Sequence, residues 1–217
     1  MIVSNIRKVL LFLLVDSFSE LILIGGALIA GLPSPLLPLQ ILWINMIADG
    51  FPHLALTAEK EEPGAMDQPP RRREEPLLSR DLKVIICGMA LITNGSLLFL
   101  YTWFANGGVE IPVLRTLVFA VLGISSLFYV FSCRSLSQSL FQMNPFSNPF
   151  LILAFFMGTA IHIAGVELPF FQRVLGTTGL SWGEWAFVFV IALGNLGLIE
   201  FFKAFVRWYP KREMNTV

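Results

Sequence analysis

Long apolar runs separated by shorter polar segments restrict the fold of this 217-residue chain more than any other feature. A helix needs roughly 20 apolar residues to cross a bilayer core of about 30 Å, and each run is long enough for one crossing. The runs span 9–31, 35–57, 83–105, 112–133, 148–166 and 183–206. The sequence therefore predicts an all-α, polytopic membrane helix bundle of about six transmembrane helices.

The positions of Lys and Arg predict how the bundle is oriented. Positively charged residues gather in the cytoplasmic loops of membrane proteins. Of the 15 Lys and Arg residues, all but Arg115 and Arg173 fall on one side of the arrangement. We therefore expect an integral, multi-pass membrane protein with both termini in the cytoplasm.

This orientation divides the chain into three predicted parts. Residues 1–57 form a helical hairpin, residues 58–82 form a cytoplasmic loop, and residues 83–217 form a supporting membrane region of four helices with a short cytoplasmic tail. The loop is rich in proline and in charges of both signs, which prevents it from burying a core of its own. We interpret it as a connector, although its arginines at 71–73 would also suit anionic headgroups or a partner domain.

The second apolar run carries polar and helix-breaking residues that are unusual at membrane depth. A charged side chain such as Asp49 is costly there unless it faces protein, water or an ion. Asn45 and Asp49 lie four residues apart and share a helix face. Pro52 has no amide hydrogen, and together with Gly50 it predicts an unwound helix near 49–52 that frees the carbonyl of Ala48. These side-chain and backbone oxygens are ligands that calcium prefers, so the run predicts a cation site.

Three segments carry a resemblance to a known family. The run 38–52 has the sequence PLQILWINMIADGFP, and the loop that follows contains MDQPPR at 66–71. Upstream, the sequence NIRK at 5–8 is followed by Glu20. Together they resemble the fifth and sixth transmembrane helices of P-type cation-transporting ATPases of the calcium-pump type. The resemblance covers essentially the whole chain, as helices five to ten of that family, and is strongest in residues 1–80.

The resemblance implies the ligands of the cation site. The family's fifth helix supplies a polar residue and, three positions later, a Glu; Ser17 and Glu20 stand at these positions. Its sixth helix supplies an Asn and, four positions later, an Asp, which correspond to Asn45 and Asp49. In the family, a Glu from the fourth helix completes this arrangement.

Three positions depart from the pattern of two-ion pumps. Ala48 stands where those pumps have a Thr, and Ser126 stands where some members have an acidic ligand on the eighth helix. Ser17 is also a weak substitute for the usual Asn. The resemblance therefore implies one divalent cation per cycle, with calcium as the first candidate and manganese or another cation left open.

Other parts of the family's machinery are missing from the sequence. The phosphorylated Asp motif, the nucleotide-binding domain and the actuator domain are absent, so the chain alone is expected not to hydrolyse ATP. The resemblance implies that ATP and magnesium act in those cytoplasmic domains, and that the partners are the lipid bilayer and the missing pump region with helices one to four. No nucleic-acid partner is expected. The chain is interpreted as a C-terminal fragment, a split subunit or a truncated gene product.

Simpler interpretations of the same residues stay open. Asn45 and Asp49 could be a polar pair between helices, and Glu20 a protonated carboxyl group bonded to a neighbour. Small polar residues such as Ser17 and Ser126 often serve close helix packing. Asp16 is either a peripheral entry ligand or an exposed residue. At the level of the whole chain, the alternatives are a membrane regulator or assembly partner without enzymatic activity, and an ATP-independent transporter.

Overall fold

The structure, a computed structural model, describes residues 2–59, 80–135 and 138–213, and all regular structure within these ranges is helical. Most of the predicted loop 58–82, including the MDQPPR segment, lies outside the described residues. The helices are α1 (Ile2–Ile29), α2 (Pro38–Trp43), α3 (Gly50–Thr57), α4 (Arg80–Asn106), α5 (Ile111–Cys133), α6 (Pro149–Glu167), α7 (Pro169–Leu175) and α8 (Trp182–Glu213). A π-helical segment, Ile44–Asp49, joins α2 to α3.

Within the described part of the chain, five helices are long and apolar enough to cross a membrane. The crossing segments are Asn5–Ile29, Leu82–Asn106, Ile111–Cys133, Pro149–Glu167 and Trp182–Val206. They coincide with five of the predicted apolar runs, which supports the predicted membrane helix bundle. The remaining run is helical from Pro38 to Thr57 but is divided into three pieces. Its crossing of the membrane stays a prediction.

The winding of this divided run differs from the one the sequence predicted. The backbone stays helical through Gly50 and Pro52, at the start of α3. The departure from α-helical winding lies just before them, in the π-helical segment that ends at Asp49. A π-helix bonds each carbonyl to the amide five residues later, so the return to α winding leaves one carbonyl without a donor. Pro52, which has no amide hydrogen, leaves a second carbonyl, that of Ala48, without an α-helical donor.

Helix α5 is the centre of the bundle. It packs against α1, α4, α6 and α8 and against the π-helical segment. Most of its membrane-spanning window is buried inside the protein, 78%, whereas the other spanning windows are 28–44% buried. Large apolar side chains such as Leu21, Phe99 and Phe156 instead point outward on the surrounding helices, as expected for surfaces that face lipid.

Several connections are fixed by side chains. The hydroxyl of Tyr101 donates to the Pro33 carbonyl at 2.7 Å, and Arg115 Nε donates to the Ser34 carbonyl at 2.9 Å. Both bonds hold the turn between α1 and α2 against α4 and α5. At the start of α6, the side chain of Asn148 accepts from the Leu151 amide at 3.1 Å and caps the helix.

Candidate cation site

The polar residues of the first two predicted spans form two groups, one near the beginning and one at the end of the π-helical segment. The first group joins α1 to the beginning of that segment. Asn45 Nδ2 donates to Glu20 Oε1 at 3.0 Å and to the Ile41 carbonyl at 2.9 Å. Asn45 is exposed and Glu20 is half-buried, so this group opens onto the outer surface of the described helices.

The second group lies deeper and joins three helices. The Ser126 hydroxyl, on α5, lies 2.6 Å from Asp49 Oδ1. The same hydroxyl lies 3.0 Å from Asp16 Oδ1 and 3.1 Å from Asp16 Oδ2, on α1. All three residues are at least nine-tenths buried.

This second group has too few protons for the oxygens that it brings together. The Ser126 hydroxyl has a single hydrogen, yet three carboxylate oxygens surround it. Like charges at such distances repel each other in a buried site. The arrangement of Asp16 and Asp49 therefore needs a further proton or a cation to be stable.

Asp49 also offers an oxygen that no other group in the described part of the chain satisfies. Its Oδ2 atom is buried and has no hydrogen-bond partner there, and the residue is 1% exposed. An unpaired buried carboxylate oxygen is costly, so this oxygen is a candidate ligand atom. Asp49 is also the last residue of the π-helical segment, where regular hydrogen bonding changes.

Ala48 offers a backbone oxygen to the same place. The residue is fully buried beside Asp49. In α-helical bonding its carbonyl would accept from the amide of residue 52, which is proline and has no hydrogen. That carbonyl therefore has no α-helical donor, and its role as a ligand stays a prediction.

Of the two serines predicted as weak ligands, the structure places one in the buried group and the other on an exposed helix face. Ser126 lies at the centre of the buried group, although the sequence left it as a weak candidate. Ser17 lies on the exposed face of α1, away from that group, and its role as a ligand stays a prediction. Asp16, which the sequence offered as either a peripheral entry ligand or an exposed residue, is instead buried in this group. Its position four residues before Glu20 placed it on the right side of α1, but nothing in the sequence showed that Ser126 of α5 faces it.

The chemistry of these groups suits a hard cation. Among the described residues, no three His, Cys, Asp or Glu side chains lie close enough together to hold a metal ion by themselves. A cation here would combine one or two carboxylates with amide, hydroxyl and backbone oxygens. Calcium accepts six to eight such oxygen ligands in flexible geometry, whereas softer metals prefer nitrogen and sulfur.

A buried ion pair holds the predicted cytoplasmic end of α3 in place. Arg134 donates to Glu59 from Nη2 at 2.8 Å and from Nε at 3.0 Å. Asn148 Nδ2 donates to Glu59 Oε2 at 2.8 Å, and Asn5 Nδ2 donates to the Glu59 carbonyl at 2.9 Å. Burial alone would raise the pKa of Glu59, but the bonds from Arg134 and Asn148 and the Arg134 charge hold that pKa below its usual value.

Comparison with known proteins adds evidence from outside the structure. A family described as "Cation transporting ATPase, C-terminus" matches residues 33–205. The chain is 33% identical over 189 residues to a calcium-transporting ATPase of Bacillus subtilis, covering 86% of this chain and 21% of that protein. It is 31% identical over 211 residues to the human calcium-transporting ATPase type 2C member 2, covering 96% of this chain and 22% of that protein. The chain thus spans about a fifth of the length of these curated relatives.

Proposed function

We propose a function for this chain from the family to which it belongs, the cation-transporting P-type ATPases, whose C-terminal membrane region it matches over most of its length. It is an integral, multi-pass membrane protein, and five helices among its described residues are long and apolar enough to span the bilayer. Its proposed role is to form the cation-binding half of an ATP-driven pump. The phosphorylation, nucleotide-binding and actuator domains would belong to the remainder of that pump.

The observation that carries this proposal is the environment of Asp49. Its carboxylate is buried, one of its oxygens has no partner among the described residues, and the other contacts Ser126. The neighbouring Ala48 carbonyl lacks a helical donor because of Pro52. We propose that Asp49, the Ala48 carbonyl and Asn45 bind one divalent cation per cycle, with Glu20 at the outer side. The oxygen ligands and the names of the relatives both favour calcium.

An exposed polar face beside this site suggests that partner helices cover it in the complete pump. Glu20 and Asn45 lie on a surface of the described helices that would otherwise meet lipid. An ionisable group facing lipid is costly, so this face favours contact with protein or with a water-filled path. We propose that helices one to four of the pump cover it and supply the remaining ligand.

The divided second span offers a way to couple the site to conformational change. Transport requires that the cation affinity differ between the inward-facing and outward-facing states. The π-helical segment Ile44–Asp49 has winding that a small rearrangement can convert to α-helix, and it carries both Asn45 and Asp49. The ion pair of Glu59 and Arg134 anchors the end of α3 to α5, so movement of the cytoplasmic end is transmitted to this segment.

Calcium binding to the full chain in detergent tests the proposal. Radioactive calcium would be titrated onto the wild type, the variant Asp49→Asn and a control variant, Glu110→Gln, whose carboxylate is exposed at the start of α5. We expect Asp49→Asn to weaken binding by roughly 10-fold or more, as for the loss of a charged ligand, and the control to match the wild type. Unchanged binding by Asp49→Asn would contradict the assignment.

A further inference from the structure

A cavity at the opposite end of α6 and α8 from the Glu59 and Arg134 ion pair has the features of a binding site. It has a volume of about 440 Å³ and is lined by Ile163, Glu167, Leu180, Trp182, Trp185 and Phe189. Glu167 is the last residue of one candidate membrane span, Pro149–Glu167, and Trp182 is the first residue of another, Trp182–Val206. The cavity therefore lies at the depth where lipid headgroups meet the protein surface.

A carboxylate is fixed at the back of this cavity. Trp185 Nε1 donates to Glu167 Oε1 at 2.8 Å, and the Leu180 amide donates to the same oxygen at 3.1 Å. The second oxygen, Oε2, receives no hydrogen bond within the described part of the chain. A Cβ atom at Gly179 would lie 3.3 Å from Oε2, so the glycine leaves this oxygen open. One oxygen of Glu167 thus holds the side chain in place while the other can accept a bond from a ligand.

Aromatic rings surround this carboxylate. Trp185 is buried, and its ring centroid lies 6.2 Å from that of Phe189. Trp182 stands at the rim and is 92% exposed, which is costly in water but normal for tryptophan at a membrane interface. Aromatic rings beside a negative charge favour a cation that carries apolar groups, because ring faces attract cations.

We propose that this cavity binds the primary ammonium group of an ethanolamine phospholipid, with the acyl chains lying along the apolar residues below it. The ammonium has N–H donors that match the open oxygen Glu167 Oε2. A choline headgroup has the same charge but no N–H donor, and a glycerol headgroup carries no cation. The proposal is independent of the cation site, which is formed by other helices.

Native mass spectrometry of the full chain tests this site with defined lipids. The chain would be released from detergent with phosphatidylethanolamine, phosphatidylcholine or phosphatidylglycerol of equal chain length. We expect preferential retention of phosphatidylethanolamine by the wild type. Glu167→Gln keeps an oxygen acceptor for Trp185 but loses the charge, and should weaken retention by roughly 10-fold. Glu110→Gln removes an exposed carboxylate elsewhere and should stay within about twofold of the wild type.

A second variant keeps the test informative if Glu167→Gln disturbs folding. Trp182→Ala changes a side chain that is 92% exposed, so the helices should remain intact, and it should weaken phosphatidylethanolamine retention by about fivefold. Circular dichroism would confirm the helical content of each variant. Equal retention of the three lipids by the wild type, or wild-type retention by both variants, would overturn the proposal.

Discussion

The carboxyl groups of Asp16 and Asp49 belong to different helices, and both lie within hydrogen-bond distance of the Ser126 hydroxyl oxygen. The two residues are 33 positions apart in sequence, and the third helix, α5, brings them together. This contact places a second carboxyl group beside the proposed cation ligand Asp49. It changes the interpretation of Asp16 from a peripheral residue to a part of the buried site.

Asp16→Asn tests whether this second carboxyl group contributes to cation binding. Loss of one carboxylate beside Asp49 should weaken calcium binding to the full chain by about 10-fold, because the remaining groups attract the ion less strongly. Equilibrium dialysis with radioactive calcium measures the change. Binding equal to that of the wild type would show that Asp16 only supports the packing of α1 against α5.

Ser126→Ala tests the shared hydroxyl. Its removal leaves both carboxylates without their common donor, which should lower the free energy of unfolding without cation by about 1–3 kcal/mol. Ser125→Ala is the matched control, because among the described residues the Ser125 hydroxyl accepts just one long bond, of 3.4 Å, from Asn195. Urea unfolding of the full chain in micelles compares the two variants. A loss in Ser125→Ala as large as that in Ser126→Ala would contradict this account.

The lowered pKa of Glu59 predicts how stability depends on pH. A carboxyl group whose pKa is lower in the folded state than in the unfolded state stabilises the fold at pH values above its ordinary pKa of 4.5. This contribution is lost as the pH falls through the folded-state pKa. Between about pH 5 and pH 3, the wild type should lose more stability than Glu59→Gln, whose side chain does not titrate. Thermal unfolding at several pH values measures both. Equal losses would show that the ion pair with Arg134 does not lower this pKa.

The close contact between α5 and α6 predicts a strong effect at Gly123. A Cβ atom there would lie 2.2 Å from the His162 ring, which is fully buried. Gly123→Ala should therefore destabilise the chain by about 1–3 kcal/mol through overpacking. Gly95→Ala is the control, because a Cβ atom at that position would meet no described atom within 4 Å apart from the neighbouring backbone of its own helix. The control should be neutral or slightly stabilising in the same thermal unfolding assay, since alanine favours helix; destabilisation of both variants alike would contradict the contact.

The sequence predicted those features that depend on local spacing. Apolar runs of membrane length located five spanning helices, because a bilayer crossing requires them. The four-residue spacing of Asn45 and Asp49, together with Pro52, located the irregular helix to within about one turn of 3.6 residues. It predicted an unwound backbone, however, whereas the structure has a π-helical segment, because proline alone does not determine how the lost hydrogen bond is accommodated.

Other features depend on contacts between residues that are distant in the sequence, and sequence patterns could not predict them. Helical periodicity placed Asp16 and Glu20 on one side of α1, but it could not show that α5 covers Asp16 and leaves Glu20 half-buried. The short helix α7, Pro169–Leu175, is too brief for a periodic signal. It ends at Gly176, whose positive φ of 66° favours glycine. The bonds from Trp185 and Leu180 to Glu167 likewise join α6 to residues that follow α7.

Cation-dependent phosphorylation of the complete pump that contains these helices would show whether Asp49 binds the transported ion. The wild type, Asp49→Asn and the control Glu110→Gln would be titrated with calcium, and the phosphorylated enzyme would be measured. Asp49→Asn should need roughly 10-fold more calcium or more for half-maximal phosphorylation, while the control follows the wild type. If Asp49→Asn is phosphorylated at the same calcium concentration as the wild type, Asp49 does not bind the transported ion.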